Sequence, residues 1–269
     1  MEGNHWYTVD GMAAHTQPTK KGAKNPFRPT TIKDAKEQKL LPSVSSILKV
    51  VANPALDRWK MMKVAEACYK QPPIGDESLD DYTRTILDKA FDEASEAADL
   101  GTRIHANIEA NLTGNTIPHT EAEALEPALA ALEKVQTELE LHIEASEKRV
   151  VCKRHGFAGT CDLLFTQTGV RGGTFHGVLD FKTTKTKEGE PITTRFGQPA
   201  QIAAYLSAYW NEGRGILEDN VGYNLYVSTT EIGRVDIVKY DHTTLQSEFE
   251  MFLHACAIWR HRYAYDPRS

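Results

Sequence analysis

Nowhere does the chain sustain the roughly 18–20 apolar residues that a membrane-spanning helix needs, so no transmembrane segment is expected. Cysteine is scarce: Cys68, Cys152, Cys161 and Cys256 are the only four, and no two form a C-x-x-C pair. That spacing gives no zinc site, and reduced thiols are expected. A Gly-x-x-x-x-Gly-Lys-Ser/Thr loop is missing, so no ATP motor is expected in this chain. The opening Met1-Glu2-Gly3-Asn4-His5 lacks a basic stretch followed by an apolar one. No secretory signal is expected there, and the cytoplasm is the expected compartment.

What remains is the composition of an ordinary globular protein, 41% hydrophobic and 25% charged over 269 residues. A chain this long can bury a sizeable core without disulfide or metal staples. The net charge is −6, so contact with nucleic acid would need a local basic patch. Charge is uneven. Residues 74–147 hold eighteen Asp/Glu against four Lys/Arg, whereas residues 1–39 hold seven Lys/Arg against four Asp/Glu. Lys182, Lys185, Lys187 and Arg195 form a second positive region.

Residues 1–40 show little apolar periodicity and read as a flexible basic arm. Residues 41–99 read as a helical addition. A short helix follows Pro42-Ser43, and a second follows Asn53-Pro54, with Leu56, Trp59, Met62, Val64 and Ala67 spaced for one buried face. A long helix is expected from about Ser78 to Leu112, and another from Glu121 to His142. From residue 100 to 269 the pattern becomes mixed. Arg149–Cys152, Phe157–Phe165 and Thr174–Lys182 read as a three-strand meander, then Ala200–Trp210 as a helix. A hairpin of Val221–Ser228 and Arg234–Tyr240 and a closing helix over Thr243–Tyr263 complete an α/β (α+β) core.

The residues able to do chemistry lie in this core. Gly159-Thr160-Cys161-Asp162 precedes Leu179-Asp180-Phe181-Lys182 and then Gln201-x-x-x-Tyr205. Side chains two apart on a strand share a face, so Asp180 and Lys182 point the same way. Asp162 belongs to the neighbouring strand. Two carboxylates and an ammonium can therefore converge on one patch. Mutually repelling carboxylates are relieved by a cation, and hard oxygen donors suit Mg²⁺ or Mn²⁺. Taken singly, Asp-x-Lys on a strand is a surface ion pair and Asp after Gly is a turn residue. Their order on consecutive strands is what carries the reading.

These motifs resemble the PD-(D/E)XK nuclease superfamily in its RecB-like exonuclease branch. Leu100-Gly101-Thr102-Arg103-Ile104-His105 is similar to that branch's Gly-Thr-x-x-His signature. The segment Leu41–Leu48, with Leu56 and Trp59, is similar to phage exonucleases and the mitochondrial genome maintenance exonuclease. The resemblance implies a restriction-endonuclease-like core, a mixed central sheet flanked by helices. It implies that His105, Asp162, Asp180 and the Phe181 carbonyl bind one or two Mg²⁺ or Mn²⁺ ions. By the same resemblance Lys182 is catalytic, Gln201 and Tyr205 contact the lysine and a DNA phosphate, and Glu147 is the acidic residue before the first core strand. Glu144 competes with Glu147 for that role. His105 could instead pair with Glu109 on an outer helix face. Gln201 and Tyr205 could be an interior polar pair. Cys161 stands where the family has its name-giving proline. Cys256 alone at the C-terminal end implies no iron–sulfur cluster.

The implied activity is a metal-dependent DNA exonuclease acting on ends in replication, recombination or repair, with single-stranded DNA favoured. A recombinase or single-strand-binding protein is a further expected partner, and no membrane is expected. Lys185, Lys187, Arg195 and Tyr205 are the expected nucleic-acid contacts, with Tyr209 and Trp210 as stacking surfaces or, for Trp210 above all, core packing. Alternatives are a double-strand recombination exonuclease or an endonuclease of the same superfamily, a non-catalytic nucleic-acid-binding protein on this fold, and an unrelated protein with chance motifs.

Overall fold

The structure is a computed structural model, and it describes residues 5–20, 22–112, 126, 129–130, 133–169 and 172–268. The chain divides into two compact units, Ala52–Asn107 and the combination of Met1–Val51 with Ile108–Ser269. The expected boundaries at 40 and 99 differ from these. The short helix Val44–Leu48 belongs to the larger unit, and the long helix Leu79–Leu112 runs past the division at its C-terminal end.

The larger unit is built on a five-stranded mixed sheet. Its strands are β5 (Leu141–Cys152), β6 (Phe157–Thr168), β7 (Thr174–Thr184), β8 (Asn220–Ser228) and β9 (Val235–Tyr240), hydrogen-bonded in that order. β7 and β8 are parallel and every other neighbouring pair is antiparallel. A parallel pair cannot be joined by a tight turn and needs a long crossover, usually helical. Here the crossover carries the helix Gln198–Tyr209, which packs on β5, β7 and β8. Ala200, Ala203 and Ala204 are fully buried, and their small side chains let the helix lie close to the sheet. Gly222 serves the same approach, since a Cβ there would lie 2.5 Å from Ile202 Cγ2. The closing helix His242–Tyr263, capped by the Asp241 side chain on the Thr244 amide, packs against the crossover helix. It buries Leu245, Phe249, Phe252, Cys256 and Trp259, a stripe at helical spacing. The result is the mixed α+β class with a central sheet flanked by helices.

Three local expectations are corrected. The helix expected to reach His142 gives way to β5 at Leu141; much of its earlier span lies outside the described residues. β5 is therefore far longer than Arg149–Cys152, because alternation in His142-Ile143-Glu144-Ala145 suits a half-exposed strand. The helix Pro54–Lys70 in the smaller unit buries no side chain. Leu56, Trp59 and Met62 are 42%, 40% and 61% exposed, although Trp59 does meet Phe91 at a ring separation of 6.2 Å.

The third correction concerns residues 5–20 and 22–40, the described part of the expected arm. Trp6 and Tyr7 form β1, which pairs with β4 (Leu41–Pro42). β2 (Thr16–Pro18) pairs with β3 (Phe27–Pro29), and Arg28 grips Asp34 with two hydrogen bonds. Asp34 and Thr31 close a capping box on the helix Ile32–Gln38. Trp6 has no exposed surface and meets Trp259 edge-on at 6.0 Å. Sparse but large apolar anchors hold the segment where periodicity gives no signal. Trp6→Ala should cost about 3–5 kcal/mol of stability, the usual loss for a buried aromatic. Urea denaturation followed by fluorescence or circular dichroism checks this; an unchanged midpoint would return the segment to a loose arm.

Candidate functional site

β6 and β7 bring the two aspartates together. Leu163 lies opposite Leu179, so Asp162 and Asp180 each come one residue further along facing strands. The regular ladder ends at that pair, and the Phe181 amide instead donates to Asp162 Oδ2 at 2.8 Å. The sheet thus opens at the point where the carboxylates meet. Phe181 has its ring buried and its backbone between Asp180 and Lys182.

Asp180 is only 1% exposed. Its Oδ2 pairs with the Lys182 ammonium at 2.5 Å and accepts from Asn224 Nδ2 at 2.7 Å. Its Oδ1 is buried and has no hydrogen-bond partner among the described residues. Lys182 Nζ also donates to Gln201 Oε1 at 3.4 Å, and Gln201 Nε2 reaches the Tyr205 hydroxyl at 3.4 Å. The crossover helix therefore supplies the second half of the cluster. Gly159 makes room for it: a Cβ there would fall 2.6 Å from Tyr205 Cε1 and 2.8 Å from its hydroxyl.

Glu147 lies inside β5 and not before it, a correction to its expected place. Its carboxylate and that of Asp162 offer oxygens within 4.8 Å of each other. Ser146 pairs with Leu163 and Lys148 with Cys161, while Glu147 between them takes a left-handed backbone with φ 45°. Such a conformation is unfavourable for a residue with a Cβ and is held only by its surroundings. Glu144 is at a separate register irregularity and accepts from the exposed Thr166 hydroxyl at 3.4 Å. Of the two glutamates, Glu147 is the one beside Asp162. His105 belongs to the smaller unit, on the helix Leu79–Leu112, and is half-buried.

Lys185, Lys187 and Arg195 lie just beyond β7 and before the crossover helix, all exposed, and line one cleft. Trp210 is partly buried against the core, donates from Nε1 to the Gly177 carbonyl at 3.3 Å, and stacks on His176. Tyr209 is the more exposed of the pair.

The electrostatics follow from placing like charges in a confined space. Asp162 keeps a partly open face, yet burial first, and the Asp180 charge second, push its carboxyl well above the usual carboxylate range. Burial alone would depress the Lys182 ammonium. The Asp180 and Asp162 charges outweigh it, and the group is raised. Burial also pushes the Tyr205 phenol well up. Two carboxyl groups and one ammonium share this pocket. An unpartnered Asp180 oxygen, an adjacent Glu147–Asp162 pair and an all-oxygen carboxylate set on the sheet fit a hard divalent ion.

No family model matches the chain, and no curated protein matches it. Among solved structures it is similar to an alkaline exonuclease, LHK-Exo, from Laribacter hongkongensis. The identity is 14% and the TM-score 0.30, over 77% of this chain and 97% of that one. It is also similar to SSO0001, at 14% identity and TM-score 0.24, over 56% of this chain and 84% of the other.

Asn224 and Tyr240 were not among the residues picked from sequence. Asn224 is fully buried and opposite Asp180 in the parallel register. It donates to the Asp180 side chain and, at 3.2 Å, to its carbonyl, while accepting from the Tyr240 hydroxyl at 2.8 Å. It fixes which Asp180 oxygen stays open. The signal was one amide in the middle of Val221-Gly222-Tyr223-Asn224-Leu225-Tyr226-Val227, a strand buried throughout. Asn224→Ala removes one of the two partners of Asp180 Oδ2 and the closer partner of the Tyr240 hydroxyl, at an expected cost of about 1–3 kcal/mol in chemical denaturation. A neutral result would show that Asp180 is oriented by Lys182 alone.

Proposed function

We propose that this protein is a metal-dependent nuclease that hydrolyses DNA phosphodiester bonds, working as an exonuclease on DNA ends with single strands favoured. The observation that carries the reading is the Asp162–Asp180–Lys182 cluster, two carboxylates and an ammonium confined in an opened sheet with one aspartate oxygen left without a partner. Asp162, Asp180 and Glu147 would hold the ion, with the Phe181 carbonyl as a further ligand. When bound, Mg²⁺ or Mn²⁺ supplies positive charge against the phosphate oxygens and makes water more acidic.

The chain's own residues do the positioning. Asn224 holds Asp180 in one orientation. Lys182, tethered by Asp180 and Gln201, directs its ammonium toward the attacking water. Gln201 in turn is steadied by Tyr205. The water oxygen bonds to phosphorus as the bond to the leaving sugar oxygen breaks, and that oxygen takes up a proton. A non-catalytic nucleic-acid-binding role gives no use for a buried and a half-buried acid side by side at the lysine, since confining like charges is costly.

Asp180→Asn should reduce cleavage of end-labelled DNA by ~10²-fold or more while DNA binding persists. Cleavage by the unaltered protein should stop with a chelator and return with Mg²⁺ or Mn²⁺. Circular DNA should survive if ends are required. Cleavage at the parent rate by Asp180→Asn, or in excess chelator, would overturn the proposal.

A further inference from the structure

Beyond Lys182 the chain leaves β7 and forms a loop, residues 185–197, before the crossover helix. Together with the end of β7 it encloses a cleft of about 340 Å³. The lining includes Thr184, Lys185, Thr186, Lys187, Thr193 and Arg195. Glu190 lines it too, but it is paired with Lys187 at 3.6 Å. Lys185 and Arg195 make no ion pair among the described residues, so two uncompensated cations face one small space.

The cleft is held in shape. Arg234 donates to the Lys187 carbonyl at 2.9 Å and the Glu190 carbonyl at 2.7 Å, and is itself anchored by Glu231 and Asp236. The Thr230 hydroxyl donates to the Thr186 carbonyl and accepts from the Thr186 amide. Thr229 donates from its amide to the Thr184 carbonyl at 2.9 Å. On the other side the Gln198 side chain accepts from the Arg195 amide and the Tyr226 hydroxyl, each at 2.7 Å. A turn whose backbone is fastened at this many points leaves only the side chains of Lys185 and Arg195 to be ordered on binding.

We infer that this cleft is a phosphate subsite, distinct from the aspartate cluster, that grips the backbone of the bound strand at a phosphodiester that is not being cleaved. Lys185 lies three positions beyond Lys182, at most ~10 Å of extended chain. Over so short a span the subsite and the aspartate cluster can hold neighbouring phosphates of one strand. The subsite thus sets where along the strand the scissile phosphate falls. The inference rests on the nuclease reading only for the identity of the strand; the cleft and its cations stand apart from it.

The test uses the full chain carrying Asp180→Asn, with a labelled 20-nucleotide single strand in chelator, and fluorescence anisotropy from 50 to 300 mM salt. Adding Lys185→Ala and Arg195→Ala together should weaken binding at least ~10-fold. It should also lower the slope of log K against log salt by roughly 1.4, two contacts at ~0.7 each on a single strand. Lys185→Arg with Arg195→Lys should keep both affinity and slope, which separates lost charge from a damaged fold. Inorganic phosphate at the same ionic strength should compete with the parent only weakly. Unchanged affinity and slope in the double alanine variant would overturn the subsite, even if the unaltered protein cleaves DNA. Loss of binding in that variant, with no cleavage by the unaltered protein, would uphold the subsite and remove the nuclease reading.

Discussion

Asp162 and Asp180 are held across one opened edge of paired strands, with the Lys182 ammonium bound to one of them. Burying two carboxyl groups together is unfavourable unless positive charge or donors are brought to them. Much of the larger unit can be read as meeting that demand. The Phe181 amide turns to Asp162 where a ladder bond would otherwise stand. Asn224 covers one Asp180 oxygen from the next strand, and Lys182 neutralises the same oxygen. These contacts still leave Asp180 Oδ1 bare and the Asp162 carboxyl pushed far up. The shortfall is one of charge, and a divalent ion is the group that would close it.

Topology makes the convergence possible. Asp162 and Asp180 meet because β6 and β7 are adjacent and antiparallel, a consequence of a short connection between them. Asn224 arrives by a different route. The parallel pairing of β7 with β8 requires a crossover, and the crossover both delivers Asn224 opposite Asp180 and lays Gln201 and Tyr205 along the Lys182 face. A single chain path thus supplies the acid, its orienting amide and the lysine's second partner. The small residues Gly159, Gly222 and the crossover-helix alanines allow the layers to approach closely enough for these bonds to form.

How much of this was legible follows the range of the signal. Strand alternation and the Asp-x-Lys spacing are local, and they placed Asp180 and Lys182 on one face of β7 and the meander in its order. The helical spacing of Gln201 and Tyr205 was equally local. Asn224 and Tyr240 escaped because their meaning lies in pairing across 44 and 16 residues, and an isolated asparagine carries no pattern of its own. Residues 5–20 and 22–40 escaped for the opposite reason. Two buried aromatics and one Arg–Asp clamp order that stretch without any periodicity. In the helix Pro54–Lys70 the apolar spacing promised a buried face, and the exposed Leu56 and Met62 show that spacing reports what a helix could bury, not what it does bury.

Glu147 shows how backbone and chemistry compete at one position. Its left-handed conformation in the middle of a strand costs on the order of 1–3 kcal/mol for a residue with a Cβ. Glycine would remove that cost, because it enters this region freely. It would also remove the carboxylate that stands beside Asp162. A structural strand would resolve such a conflict in favour of glycine, or of regular pairing. Keeping glutamate here maintains the strain and sets a third acid beside Asp162. Both penalties act in the same direction, and a bound cation offsets the electrostatic one directly. Glu147 thus brings its carboxylate to Asp162 from β5, on the side of β6 opposite the strand that carries Asp180.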